Sequence, residues 1–269
     1  LGIARAHLLA HDYGTSIATE LLTRVQRGLA GDFALDSLIL CNGSVHIELA
    51  ELTVSQRLLE APGPIADVFA RLSSRRFFDH NIQGLLGSES TLPESELRAM
   101  WDGILRHEGR AKLPELSHYL GERRRFWHRW IGALVHSNLP TLVLWGREDP
   151  IAVPAIAEQL AGEIPSAKLV WLERLGHFPM LEDPQAWVEP VVGWLACVDG
   201  PDKGRDWRLV SGRNAIGRGE GMQAQGSQQA ASMHIREAIE SLQDAMSQAR
   251  RASSEMEPKE QGEGGDPCG

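Results

Sequence analysis

One acidic residue near the start of the chain, Asp12, stands in a setting suited to a nucleophile. It is the middle residue of AHDYG (residues 10–14), where small residues allow a sharp turn between a predicted strand and a predicted helix. Such a turn projects its central side chain at the top of a sheet, and the backbone N–H of the next residue, here Tyr13, faces developing negative charge. A second interpretation stays open at this point, in which Asp12 only caps the helix.

An acid and a histidine follow Asp12 along the chain. Asp149 ends the segment WGRED after one predicted strand, and His177 lies in LGHFP, a glycine-flanked loop after the next strand. Nucleophile, acid and histidine occur in this order in α/β-hydrolases. Because each residue follows the carboxyl end of a predicted strand, we expect the three to meet at one edge of a parallel sheet and to form a catalytic triad.

Two further residues compete for these roles. Ser16 lies in GTSIA (residues 14–18), which resembles a serine elbow, but it would fall inside the helix and is ranked below Asp12. Glu48, after the second predicted strand, is an alternative acid. The basic and aromatic run RRRFWHRW (residues 123–130) is interpreted as a solvated helix face with its tryptophans turned inward, rather than as a nucleic-acid patch.

Strands and helices alternate in the segments that must position these residues. The predicted strands are His7–His11, Leu35–Cys41, Pro140–Trp145 and Ala167–Leu172, and helical periodicity follows at Ile17–Val25, Val153–Leu160 and Pro184–Leu195. Alternation of this kind predicts a mostly parallel sheet and an α/β fold. Residues 52–135 form a strand-poor insertion with helical periodicity, which is predicted to cap the carboxyl ends of the strands.

The composition changes sharply near residue 199. Of the chain's 27 glycines, 11 lie between residues 199 and 269, which predicts a largely disordered tail. Within it, residues 235–249 have the spacing of a short amphipathic helix. We therefore divide the chain into two parts of an α/β core at 1–51 and 136–198, a helical cap at 52–135, and a low-complexity tail at 199–269.

The totals for the whole chain exclude several functional classes. Its formal net charge of −9 argues against a general nucleic-acid binder, and no apolar run reaches the roughly 18 residues of a membrane span. The three cysteines, Cys41, Cys197 and Cys268, are far apart and predict neither a disulfide framework nor a metal cluster. This usage suits a reducing compartment, so a cytoplasmic protein is predicted. The sequence predicts nothing about the oligomeric state.

The sequence resembles the α/β-hydrolases with an aspartate nucleophile, the epoxide hydrolases and haloalkane dehalogenases, and within them the mesoderm-specific transcript protein family. The resemblance covers roughly residues 5–196 and rests on the segments LLAHDYG, SLILCNG, SELRAMWDGI, YLGERRRFWHRWIGAL, GREDP and GHFPMLEDP. It implies that Asp12 attacks a carbon atom of a small epoxide or haloalkane and forms an alkyl-enzyme ester. Water activated by His177, which Asp149 orients, then hydrolyses that ester. No metal or organic cofactor is implied.

The sequence departs from the family pattern at three places. Two concern residues that would contact the substrate, and one concerns the oxyanion hole. Tyr13 stands where dehalogenases usually carry a tryptophan, and Tyr119 is the one tyrosine of the predicted cap, where epoxide hydrolases usually have two. Tyr119 is therefore a candidate proton donor to the substrate. The HGxP loop that supplies a second oxyanion donor in the family does not occur, because the nucleophile is already residue 12. We therefore expect the sequence to be N-terminally truncated.

Two alternatives to an aspartate-dependent hydrolase stay open. A catalytically impaired, truncated protein would use the α/β part and the 235–249 helix for binding a partner. A serine-dependent esterase would use Ser16. An HGxP loop preceded by strands, upstream of Leu1, would favour the enzyme.

Overall fold

The computed structural model of the chain describes residues 2–199, which contain one sheet and the helices around it. The strands are β1 (Arg5–His11), β2 (Ala34–Cys41), β3 (Thr141–Gly146) and β4 (Ala167–Leu172). The helices are α1 (Tyr13–Gln26), α2 (Val54–Leu59), α3 (Pro64–Leu72), α4 (Arg75–Gln83), α5 (Glu94–Leu105), α6 (Gly109–Ser117), α7 (Tyr119–Val135), α8 (Pro154–Glu163), α9 (Pro179–Glu182) and α10 (Pro184–Asp199). None of the helices in this part of the chain combines the length and apolar character needed to cross a bilayer. The tail predicted after residue 199, with its helix at 235–249, lies outside the described residues.

The four strands form a single parallel sheet in their chain order, β1-β2-β3-β4. Each predicted strand overlaps one of them, and the predicted and observed ends differ by two residues or fewer. Pro140 lies just before β3 because proline has no N–H for the ladder, and its carbonyl accepts a hydrogen bond from the Leu38 N–H at 2.9 Å. The predicted α/β fold with a parallel sheet is therefore confirmed.

Burial separates the central strands of this sheet from the outer ones. All of β3 and residues 37–41 of β2 are buried, whereas β1 and β4 are partly exposed. Central strands of parallel sheets are covered on both faces, which is why SLILC and TLVLWG are almost continuous apolar runs. Leu22 of α1, Leu134 of α7 and Leu160 of α8 belong to one hydrophobic cluster with the strand side chains.

Only helical elements occur between β2 and β3. The first of them, α2, begins with a capping box, in which the Thr53 hydroxyl accepts from the Gln56 N–H and the Gln56 side chain accepts from the Thr53 N–H. A second hydrophobic cluster, formed by Ile82, Leu86, Leu92 and Leu97, lies within this segment. The last helix, α7, packs along α1.

Candidate active site

The turn between β1 and α1 holds Asp12 in a strained conformation. Its φ is 44° and its ψ is −115°, a region that non-glycine residues seldom adopt and that is common at functional sites. The Asp12 carbonyl accepts hydrogen bonds from the Thr15 N–H at 3.0 Å and the Thr15 hydroxyl at 2.6 Å. The Asp12 side chain makes no capping bond to α1, so the interpretation of this residue as a helix cap is wrong.

The structure brings the three residues of the predicted triad together. His177 Nδ1 lies 2.8 Å from Asp149 Oδ2, and His177 Nε2 lies 3.8 Å from Asp12 Oδ2. The His177 and Asp149 side chains are 3% and 0% exposed, whereas Asp12 retains 34% exposure. Since the strands are parallel, the ends of β1, β3 and β4 lie at one edge of the sheet, which explains the encounter. A carboxylate thus faces one ring nitrogen of the histidine while a buried acid fixes the other.

Asp149 is held in place by four hydrogen bonds. Its Oδ1 accepts from the backbone N–H groups of Ile151 and Ala152 at 2.8 and 2.9 Å. Its Oδ2 accepts from Asn42 Nδ2 at 2.7 Å as well as from His177. Every lone pair direction of the buried carboxylate is therefore engaged, and its orientation towards the histidine is fixed.

Asn42, which is not among the candidates named from the sequence, is part of this arrangement. It follows β2, is fully buried and has φ of 41°. Besides donating to Asp149, it accepts at Oδ1 from the Gly146 N–H at 3.0 Å, and so links the ends of β2 and β3. The available signal was its place at the carboxyl end of a strand, where asparagine tolerates a positive φ.

Glu182 of α9 was also missed, and it shapes the loop that carries His177. Its carboxylate accepts from the backbone N–H groups of Gly176 at 3.0 Å, Phe178 at 3.1 Å and Gly87 at 2.8 Å. A Cβ on Gly176 would lie 2.4 Å from the Leu85 carbonyl oxygen, so only glycine allows this close approach. The loop is thereby fixed against residues 85–87.

Charges around Asp12 and His177 favour their ionised forms. Burial alone would raise the pKa of Asp12, but the adjacent His177, with Arg123 and His11, outweighs it and lowers the pKa to about 2. Burial alone would lower the pKa of His177, but the carboxylates of Asp12 and Asp149 outweigh it and raise the pKa to about 10. The pKa of His11, whose Nε2 lies 2.7 Å from the His177 carbonyl, is lowered by burial and by the charge of His177. The site therefore rests as a carboxylate beside an imidazolium.

Both tyrosines of the chain lie beside the elbow. The rings of Tyr13 and Tyr119 are 4.7 Å apart between centroids, and Tyr13 is 38% exposed. Burial and the nearby charge of Asp12 raise the pKa of Tyr119 to about 12. The Tyr119 phenol is therefore protonated at neutral pH and holds its proton more tightly than a free tyrosine.

The alternative residues lie elsewhere. Ser16 is buried in α1 and accepts a hydrogen bond from Arg123 Nε at 2.7 Å. The Glu48 carboxylate is 59% exposed and lies 2.7 Å from His46 Nδ1. The acidic groups that contact the His177 ring within residues 2–199 are those of Asp12 and Asp149. The same residues contain no group of three or more His, Cys, Asp and Glu side chains placed to hold a metal ion.

The basic run on α7 is not the solvated face that was predicted. Arg124 and Arg125 are exposed and Trp130 is buried, as expected, but Arg123 is fully buried and Trp127 is 53% exposed. The reason is helical spacing, since Arg123 lies three residues after the buried Leu120 and shares the face that packs on α1.

Comparisons with known proteins assign this fold to a family. A family model described as the alpha/beta hydrolase family matches residues 1–190. The chain is 31% identical over 193 residues to the mesoderm-specific transcript homolog protein of Homo sapiens, covering 71% of this chain and 58% of that protein. It is 38% identical over 189 residues to LipZ of Mycobacterium tuberculosis, covering 70% of this chain and 64% of LipZ. The chain thus spans less than two thirds of the length of these relatives.

Solved structures share the fold at lower identity. A loop variant of the haloalkane dehalogenase DbeA from Bradyrhizobium elkanii has a TM-score of 0.60 at 21% identity, covering 75% of this chain and 70% of that chain. A mutant of the meta-cleavage product hydrolase CumD from Pseudomonas fluorescens has a TM-score of 0.54 at 17% identity, covering 71% and 65%. These two likenesses concern the fold alone. Because the family match extends over residues 1–190 and the observed sheet agrees with it, the chain belongs to the alpha/beta hydrolase family.

Proposed function

We propose that this chain carries the catalytic residues of a hydrolase that forms an alkyl ester on Asp12 and acts on a small organic substrate of the epoxide or haloalkane type. The observation that carries the proposal is the pair of distances at His177, 3.8 Å from Asp12 and 2.8 Å from Asp149. Residues 1–51 and 136–198 would form the catalytic core, and residues 52–135 the cap over it.

In the first step, Asp12 acts as the nucleophile. One carboxylate oxygen attacks a substrate carbon, the new C–O bond forms, and the bond to the halide or to the epoxide oxygen breaks with its electron pair. The low pKa of Asp12 keeps it ionised and ready to attack at neutral pH. For an epoxide, the Tyr119 phenol would supply the proton to the ring oxygen.

In the second step, His177 acts as the general base. Esterification removes the negative charge of Asp12, and with it one of the two carboxylates that raise the pKa of His177. The histidine can then pass its proton to the Tyr119 phenolate left by an epoxide, or to solvent after loss of a halide. The neutral imidazole takes a proton from water, whose oxygen attacks the Asp12 Cγ. The backbone N–H of Tyr13 would face the oxyanion, and collapse of the intermediate releases the alcohol and restores the carboxylate. The histidine thus becomes a base only after the nucleophile has reacted.

A substitution of the base separates the two steps. The full chain with His177→Gln is incubated with styrene oxide and, separately, with 1-bromobutane, and the peptide containing Asp12 is analysed by mass spectrometry. We expect a stable ester on Asp12, because the attack needs only the carboxylate whereas hydrolysis needs the histidine. Asp12→Asn is the matched control, and it keeps the shape of the side chain without the nucleophile.

Isotope labelling gives an independent readout in the unmodified protein. Turnover in water enriched with oxygen-18 is expected to leave the label in the Asp12 carboxylate, since water attacks Cγ. An adduct on Ser16, or turnover by Asp12→Asn equal to that of the unmodified protein, would contradict the proposal.

A further inference from the structure

A buried guanidinium connects helix α7 to the nucleophile turn. Arg123 is fully buried, and its Nη2 donates to the Asp12 carbonyl oxygen at 2.9 Å and to the Thr15 hydroxyl at 3.3 Å. Its Nε donates to the Ser16 hydroxyl at 2.7 Å. The guanidinium carbon lies 4.6 Å from the centre of the Tyr119 ring. One side chain thus holds the turn, the first part of α1 and the predicted proton donor.

This charge has no ion-pair partner in the described part of the chain. Within residues 2–199 the hydrogen bonds of Arg123 go to neutral oxygens, those of the Asp12 carbonyl and of the Thr15 and Ser16 hydroxyls, and its Nη1 makes none. An isolated buried cation costs several kcal/mol unless nearby negative charge offsets it. Two of the groups that favour its charged form are Tyr119 and Asp12, and the Asp12 carboxylate is an anion at neutral pH. The stabilisation is reciprocal, because the same interaction favours the ionised form of Asp12.

We propose that Arg123 is a positioning residue for the nucleophile: its hydrogen bonds fix the Asp12 turn, and its charge adds to that of His177 in favouring the carboxylate form of Asp12. The inference rests on the proposed function of Asp12. Since α7 belongs to the helical segment between β2 and β3, a displacement of that segment would remove both effects at once.

Several titratable groups surround Asp12 and must be separated from Arg123 in any test. They come from four elements: His11 of β1, Tyr13 of α1, Arg123 and Tyr119 of α7, and His177 of the loop after β4, with Asp149 behind it. Substitution of Arg123 alone leaves the others in place. A shift in the pKa of Asp12 that follows the charge at position 123 is then attributable to Arg123.

The test compares Arg123→Gln, Arg123→Lys and the control Arg124→Gln in the full chain. Arg124 is the neighbouring arginine, but its side chain is 49% exposed and pairs with Glu60, so its loss removes a charge outside the turn. The rate of ester formation on Asp12 is measured in the His177→Gln background after a rapid pH jump. We expect Arg123→Gln to shift the acid limb of the pH–rate profile for ester formation to higher pH by about one unit. We expect Arg123→Lys to keep the acid limb of the pH–rate profile but to slow the reaction at least about 10-fold. A single ammonium nitrogen cannot occupy the positions of both Nε and Nη2.

The substrate-free readout is carbon-13 NMR of labelled aspartate carboxyls between pH 3 and 6, with Asp12 assigned from Asp12→Asn. The Asp12 signal should stay that of a carboxylate to pH 3 in the unmodified protein and Arg124→Gln, and should titrate in Arg123→Gln. An unchanged Asp12 titration in Arg123→Gln, or an unchanged rate in Arg123→Lys, would overturn the inference. If Arg123→Gln does not fold by circular dichroism, Thr15→Val and Ser16→Ala remove two of the partners instead, and a rate equal to the unmodified one overturns it.

The two proposals fail in different ways. If no ester forms on Asp12 in His177→Gln with functional Arg123, the proposed function is wrong, whereas the NMR titration still reports on Arg123. If the ester forms but neither its rate nor the titration depends on Arg123, only the inference about Arg123 is wrong.

Discussion

Two buried charges flank the candidate site, and they are stabilised in different ways. Asp149, at the end of β3, accepts four hydrogen bonds from His177, Asn42 and two backbone N–H groups. Arg123, on α7, donates to neutral oxygens and leaves Nη1 without a partner among residues 2–199. Hydrogen bonds from neighbouring groups compensate the charge of Asp149, and this residue orients His177. The charge of Arg123 depends on the carboxylate of Asp12 for compensation, and in return it favours the ionised form of Asp12.

The sheet and the helical insertion therefore supply different groups to the site: the strand ends carry Asp149 and His177, and α7 carries Arg123 and Tyr119. The sheet edge holds Asp149 and His177 through short contacts, and the His177 N–H also donates to the Leu85 carbonyl of the insertion. The turn at Asp12 receives contacts from both regions, because Arg123 and Tyr119 reach it from α7. Predictions that disturb one region at a time can separate these contributions.

The largest effect is expected at the sheet edge, for Asp149→Asn. The amide keeps the shape but cannot stabilise the imidazolium or hold the tautomer, so hydrolysis of the ester should fall by about 10⁴-fold. Ester formation should fall much less, because it does not need His177 to act as a base. Rapid-quench mass spectrometry would detect the ester accumulating, and equal losses in both steps would contradict the division of roles.

The next effect concerns the α7 side, through Tyr119→Phe. This change removes only the hydroxyl and keeps the ring against Tyr13 and Arg123. Loss of a general acid should slow ester formation from an epoxide by about 10²-fold or more. Ester formation from a haloalkane is the internal control and should be unchanged, since a halide leaves without a proton. Similar losses with both substrates would show that the phenol is not the donor.

The stability of the protein should depend on pH through His177. Its pKa is about 10 in the folded protein and near 6.5 when the chain is unfolded. The free energy of unfolding should therefore include its full contribution below about pH 6.5 and lose it as the pH rises through about 10. Urea unfolding at pH 6, 8 and 10 should show a difference between the unmodified protein and His177→Gln that shrinks as the pH rises, by at most about 1.4 kcal/mol per pH unit. Parallel curves would contradict the raised pKa.

The contribution of Asp12 to stability has the opposite dependence on pH. Its pKa falls from 3.8 to about 2 on folding, so its contribution to stability is present above about pH 3.8 and is lost as the pH falls through about 2. Asp12→Asn should consequently flatten the acid limb of the same stability profile. The alkaline limb should also weaken in that variant, because the two groups stabilise each other.

The smallest effect is expected for Asn42→Ala. Asp149 would keep three of its four hydrogen bonds, so we expect a loss of about 1–3 kcal/mol in the free energy of unfolding and a rate within about 10-fold of the unmodified protein. Arg124→Gln is the matched surface control and should change stability by less than about 0.5 kcal/mol. A loss of activity as large as that of Asp149→Asn would mean that Asn42 has a role beyond support.

The local pattern of apolar and turn residues was sufficient to predict the four strands of the sheet. The runs LDSLILC and AKLVWL are apolar, bounded by turn residues and followed by helical periodicity, and each lies in a strand with nearly the predicted ends. Helices α8 and α10 begin close to the predicted starts because a proline stands in the first turn of each. These features depend on residues close in sequence, and for that reason they could be predicted.

Contacts between distant segments could not be predicted in the same way. Arg123 and Asp12 are far apart in the sequence, and a basic run gives no sign of which arginine points inwards until α7 is placed on α1. Likewise, Asn42 is an ordinary turn residue until β3 brings Asp149 beside it. Glu48 could not be set aside from sequence, and only the fold places it on His46 rather than on His177.

The sequence by itself determined the order of the strands along the chain and the three candidate catalytic residues, because elbow, acid and histidine each follow a recognisable strand. The tertiary structure alone decided the distances among them, the four-bond cradle of Asp149 and the burial of Arg123. The physical reason is that pKa values and hydrogen bonds depend on the few ångströms between side chains of separate elements, which packing sets and local sequence does not.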